Sequence, residues 1–192
     1  MNVPTHLPED PVLLVGDPGL RQTSEIVSDF ADADFRKDAR RVARALARFR
    51  ATYGFGRAIA APQIGIRRRM IALALPHWHD APFVMVNPAL TWASDERFTL
   101  WDDCMSFPFL LVKVSRHRSI SLTYQTVDGE PVERRALDLA DAELLQHEMD
   151  HLDGVLALDR ALDADSLVAR ETFEAKRSYF ASQVDYTIPP LP

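Results

Sequence analysis

Cysteine is nearly absent. Cys104 is the single thiol in 192 residues, which excludes an internal disulfide framework. Long apolar runs are missing too, and none approaches the ~18 residues that a membrane-crossing helix needs. There is no surplus of positive charge: 22 Lys and Arg stand against 28 Asp and Glu, a net charge of −6. That balance argues against DNA or an anionic membrane as the main partner. The opening residues, MNVPTHLPEDP, have neither the basic start nor the apolar stretch of a secretory leader. Together with the lone thiol, these absences point to a reducing, cytoplasmic setting. Internal repeats and low-complexity tracts are also lacking. The length suits one domain over 1–192 whose core needs no disulfide staples.

What is present begins with Pro and Gly. Five of them fall between Pro8 and Gly19, so residues 1–23 read as an extended arm wrapped over the body. Then Phe35, Ala39, Val42, Leu46, Phe49 and Tyr53 recur at spacings of 4 and 3, one apolar stripe of a helix that Gly54 stops. Arg40, Arg41, Arg44, Arg48 and Arg50 fall mostly on its other face. Without interleaved aromatics, and in an acidic chain, that face is expected to meet water and not RNA.

The middle reads as strands at Met70–Leu75, Phe83–Val86, Leu110–Val114, Ile120–Thr126 and Val132–Leu137, with a hairpin turn at Asp128-Gly129. A second helix is expected over about Ala140–Leu152, capped by Asp138 or Asp141 and ended by Gly154. A third is expected over about Ser166–Ser182, followed by a loose tail at 183–192. Helices around a β middle predict an α+β fold with mostly antiparallel sheets.

The chemistry concentrates in Gln146-His147-Glu148-Met149-Asp150-His151. Residues four apart on a helix differ by about 40° in direction, so His147 and His151 face the same way and can share one cation. Glu148, next to the first ligand, is placed to act on an activated water. A catalytic metal site needs a third protein ligand and an open position. Glu171 and Glu174 downstream are candidates, and Cys104 is the stronger one. His77-Trp78-His79 looks like another ligand pair, but Pro76 and Asp80 mark it as a surface loop.

Three segments carry a resemblance. Gly54-Phe-Gly-Arg-Ala-Ile-Ala-Ala-Pro-Gln63-Ile-Gly65, Asp102-Asp-Cys104-Met-Ser-Phe-Pro108 and Gln146-His-Glu-Met-Asp-His-Leu152-x-Gly154 occur in the order and spacing of the peptide deformylases. That family carries a Gly-x-Gly-Leu-Ala-Ala-x-Gln loop, a Glu-Gly-Cys-Leu-Ser segment and a Gln-His-Glu-x-Asp-His-Leu segment. The resemblance covers about residues 10–180. It implies antiparallel strands around a central metal-bearing helix, with the N- and C-terminal helices outside.

The resemblance further implies that Cys104, His147 and His151 hold one divalent ion, Fe2+ foremost, with Zn2+, Ni2+ or Co2+ as alternatives. Ligand type does not choose among these. Glu148 becomes the general acid/base, and the Gln63 amide and the Met105 backbone N–H become oxyanion donors. Gly56, Arg57, Ala58, Ile59 and Glu143 become the substrate-binding positions. The implied substrate is the N-formyl group of formyl-methionine on new, ribosome-associated chains, released as formate. Arg116 is placed to pair with Asp150 and brace the metal helix, and Gln146 to hold loops together.

The chain departs from the family at several positions. Ala58 and Ile59 replace Gly and Leu, and Ala fits only where φ is negative. Asp103 replaces Gly beside the thiol: facing a metal it would raise the pKa of bound water, facing solvent it would do little. Arg57 and Glu143 stand where the methionine side chain would lie, either paired across the pocket or turned outward with their stems in its wall. These changes keep open a more polar N-formyl peptide or a small formamide as substrate. Two further alternatives are a zinc protease in which Cys104 has no metal role, and a catalytically silent peptide binder.

Overall fold

The computed structural model describes residues 10–54 and 56–189. Its longest element is α1, Ala33–Tyr53. Asp32 caps its start, accepting from the backbone N–H of Asp34 and Phe35 at 3.1 Å each. Gly54 ends it in the left-handed region at φ 73°, where its N–H closes on the Arg50 carbonyl.

Among the described residues, eight strands follow in two antiparallel sheets. The larger runs in the order β1 (Ala58–Ala60), β2 (Met70–Leu73), β3 (Phe83–Ala93), β6 (Ile120–Gln125), β7 (Pro131–Leu137). The smaller runs β4 (Arg97–Asp103), β5 (Leu110–His117), β8 (Leu167–Ala169). Strand alternation puts a helix on each face of the larger sheet. Met70, Ala72, Val84 and Val86 pack with Phe35, Val42 and Leu46 of α1. Ile71, Leu73 and Met85 pack with Ala142, Leu144 and Leu145 of α2, Leu139–Leu152. The fold is α+β as expected, with α2 enclosed and α1 outside.

Several boundaries differ from expectation. The strand read as ending at Val86 runs on to Ala93 through Asn87 and Pro88, with a register shift between Val86 and Ala89. Asn87 sits at φ 49° and holds the backbone of Val27 from both ends of its amide. The third helix is not one helix. Leu167–Ala169 instead pairs with Leu110–Val112 as β8. Two short helices follow, α3 (Arg170–Ala175) and α4 (Arg177–Ala181), broken at Lys176 with φ −127°.

The loose tail is also corrected over residues 183–189. Thr99 donates from both its N–H and its hydroxyl to Asp185, and Tyr186 bridges to Leu100. The first nine residues of the predicted arm, and 190–192 of the tail, lie outside the described residues. The described part of the arm ties two loops together: the Leu13 N–H donates to the Gln63 carbonyl at 2.7 Å and the Val15 N–H to the Ser106 carbonyl at 2.8 Å.

Candidate active site

Asp138 caps α2 by accepting from the Asp141 N–H at 3.1 Å, and Asp141 is itself the partner of His77 and Trp78. The His77 loop therefore clamps the helix start. His77 and His79 join no metal-ligand cluster among the described residues. At the other end Gly154 has φ 73°, and a Cβ there would lie 2.6 Å from the Arg21 carbonyl oxygen, so only glycine fits.

Between these ends, α2 presents His147 and His151 from one face, with their Nε2 atoms 3.2 Å apart. Cys104, just beyond β4, brings its Sγ to 3.2 Å from His151 Nε2. All three side chains are buried, and their donor atoms lie within 4.8 Å of one another. Tetrahedral ligation at ~2.0–2.1 Å for nitrogen and ~2.3 Å for sulfur requires donor separations of about 3.3–3.6 Å, so the triad fits one cation. Glu171 and Glu174 do not join it.

The residues behind the triad fix its aim. Asp102 accepts from His147 Nδ1 at 3.0 Å and from the Arg116 guanidinium at 2.7 Å. Burial alone would raise the Asp102 carboxyl, but His147 and Arg116 outweigh it and hold the group well below the usual carboxylate range. An ionised Asp102 can only accept, so His147 Nδ1 donates to it, and Nε2 offers a lone pair to a cation once that cation displaces the second ring proton. Arg116, 2% exposed, also donates to Asp150 at 3.0 Å, and Asp150 is held from outside by Arg160. Gln146 exchanges two hydrogen bonds of 2.9 Å with the backbone of His117, pinning α2 to the end of β5.

The other candidates converge on the same point. Gln63 is buried; its Oε1 accepts from the Ala60 N–H at 2.8 Å, which turns Nε2 toward Cys104 Sγ at 3.6 Å and Ser106 Oγ at 3.3 Å. Glu148 is buried, and its Oε2 has no partner among the described residues. Burial pushes the Glu148 carboxyl up to about 7, against the pull of His147. A cleft of about 600 Å³ opens onto Cys104, Met105, His147 and Glu148. Gly56 belongs to its wall, at φ 119° with the Met105 side chain 2.6 Å from where a Cβ would stand.

A family model described as Polypeptide deformylase matches residues 9–166. The chain belongs to the polypeptide deformylase family. A peptide deformylase of Thermotoga neapolitana is 33% identical over 160 residues, covering 83% of this chain and 92% of that one. One of Bartonella henselae is 35% identical over 155 residues, covering 80% and 84%. Among solved structures, the peptide deformylase of Thermotoga maritima superposes with a TM-score of 0.69 at 31% identity, covering 80% of this chain and 97% of that one. That of Synechococcus elongatus in complex with actinonin gives 0.70 at 27% identity, covering 92% of each.

Within this deformylase fold, each departure noted in the sequence has a definite place. Ala58 has no positive φ, so its methyl is accommodated in β1, where it lines the cleft. Ile59 is fully buried on the opposite face of that strand, against α1, and is not part of the cleft wall. Its side chain therefore supports the wall from behind. Asp103 faces Arg170, which donates to it at 2.9 Å, so its charge is balanced beside the thiol. Arg57 and Glu143 are paired across the cleft wall, with Glu143 only 1% exposed and Arg57 18%. Burial raises the Glu143 carboxyl to about 7 against the opposing pull of Arg57.

Two features leave little trace in the residue pattern alone. Asp102 registers only as a carboxylate kept in place of Glu, and its grip on His147 becomes visible once β4 and α2 meet. The tail residues Tyr186 and Ile188 line the cleft, although their composition reads as disorder.

Proposed function

We propose that the chain is a metal-dependent hydrolase that removes the formyl group from the N-terminus of formyl-methionyl chains, including nascent chains at the ribosome, and releases formate. The observation that carries this reading is the convergence of one thiolate and two imidazoles beside a buried carboxyl with an unpartnered oxygen. Cys104, His147 and His151 would hold the cation. Fe2+ is the first choice, and the donor set also accepts Zn2+, Ni2+ or Co2+. When bound, such an ion supplies Lewis acidity, polarising the formyl carbonyl and acidifying water.

The chain's own groups do the rest. Glu148 takes a proton from the attacking water as its oxygen bonds to the formyl carbon. Gln63 Nε2 and the Met105 N–H donate to the oxygen on which charge develops, and the Ala60 N–H holds the Gln63 amide in place beforehand. Glu148 then delivers the proton to the amide nitrogen as the C–N bond breaks, leaving formate and a free amine. Gly56, Arg57, Ala58 and Glu143 border the residue that bears the formyl group. The buried free thiol supports a reducing, cytoplasmic location. No described helix is long and apolar enough to cross a membrane.

The test is formate release from formyl-Met-Ala-Ser by anaerobically metal-loaded protein. Glu148→Ala is expected to retain the cation and lose about 10²–10⁴-fold in kcat. Cys104→Ala is expected to lose tight metal binding. Metal content unchanged in Cys104→Ala would favour instead a protease-type site that does not use the thiol.

A further inference from the structure

The Arg57–Glu143 pair takes no part in the chemistry above, yet it stands in the wall of the reaction cleft. Glu143 lies one helical turn before His147 on α2, and Arg57 lies between Gly56 and the start of β1. The triad, Glu148 and Gln63 mark where the formyl carbon is attacked. The side chain on the residue that bears the formyl group is therefore the first part of a substrate to reach the pair. Among the described residues, two of the five guanidinium N–H groups are engaged, one by Glu143 and one, at 3.4 Å, by the Ala140 carbonyl.

A thioether or aliphatic chain laid on this pair would strip water from both ions and return no hydrogen bond. A cationic side chain would meet Arg57, and an anionic one would meet Glu143. A neutral carboxamide matches both members, because its oxygen accepts from a spare Arg57 N–H while its NH₂ donates to the Glu143 carboxylate. Glutamine places that carboxamide at the distance where methionine has its sulfur.

We propose that the Arg57–Glu143 pair is the specificity-determining element of this site, favouring N-formyl residues with a neutral carboxamide side chain, glutamine foremost, over formyl-methionine; this presupposes formamide hydrolysis at the triad. Formyl-Gln-Ala-Ser, formyl-Met-Ala-Ser, formyl-Lys-Ala-Ser and formyl-Glu-Ala-Ser are compared by formate release from the metal-loaded protein. Equilibrium binding of the products Gln-Ala-Ser and Met-Ala-Ser is measured alongside.

The Gln peptide is expected to have the highest kcat/KM, by about tenfold over Met, since a site built to hydrogen-bond rejects a ligand that cannot. Product affinities should rank the same way. The double variant Arg57→Val/Glu143→Ile should reverse both rankings in favour of methionine. A wild-type Gln/Met ratio at or below one, or a ratio the double variant leaves unchanged, overturns the proposal. If the double variant shows no cooperative melting, the wild-type turnover and binding ratios decide. Absence of formate from all four peptides would sink the deformylase reading instead, while the product-binding ratio would still test the pair.

Discussion

Glu148 illustrates how surroundings assign a residue its task. Its carboxyl is buried beside His147 and held up to about 7. A general base must be ionised, so activity is present above that value and lost as pH falls through it. A bound cation pulls the group lower, so the acid limb of kcat/KM is expected at or below about 7. A pH profile of formate release checks this, and a limb well above 7 would assign the titration to another group. Arg116 works differently, touching no site atom and acting through Asp102 and Asp150. Arg116→Ala leaves a buried carboxylate uncompensated and is expected to cost about 3–5 kcal/mol of stability. Because Asp102 orients His147, the same change should weaken metal binding about 10–100-fold. Denaturant unfolding and metal competition measure the two effects, and a stability loss with unchanged metal affinity would reduce Arg116 to a purely structural part.

The elements differ in how openly the sequence declares them. The stripe of α1 was plain because Phe35, Ala39, Val42, Leu46 and Phe49 all enter one core with the sheet, Tyr53 at its end lying exposed, and Leu46, 1% exposed, sits in its middle. Leu46→Ala is expected to cost about 2–5 kcal/mol by leaving a cavity under β2, readable as a fall in the denaturant midpoint without loss of metal. The metal helix was equally legible, since its two histidines and its stop at Gly154 are local signals. β4 was not. Its alternation buries Phe98 and Leu100, but Arg97, Asp102 and Asp103 disguise it, and Asp102 is tolerated there only through Arg116 and His147. The segment 166–182 misled for a tertiary reason. Pairing of Leu167–Ala169 with β5 overrides helix propensity, and Phe173 and Phe180 stack on each other, both against Trp101, from two separate turns. Likewise, the pairing of Arg57 with Glu143 is set by how β1 lies against α2, which neither segment encodes alone.

At the scale of the whole molecule, the triad is a joint. Cys104 hangs from β4 of the smaller sheet, while His147 and His151 sit on the helix packed against the larger one. A cation held by all three therefore binds the folded chain and not the unfolded one, in which the thiol and the two imidazoles are far apart. At a free metal concentration about 1,000 times its Kd, linkage adds about 4 kcal/mol to stability. For a chain of this size, each kcal/mol moves the melting temperature by about 2–4 °C, so loading should raise it by about 8–16 °C. Cys104→Ser keeps a side chain of similar size but a poor metal donor, and should lose most of that rise while its apo melting temperature stays close to that of the wild-type apo protein. Thermal unfolding with and without a chelator, on both proteins, gives the four numbers needed. Identical melting of the loaded and chelated wild type would mean that the two sheets are held together by packing and the Asp102–Arg116–Asp150 network alone, with no cation at the joint.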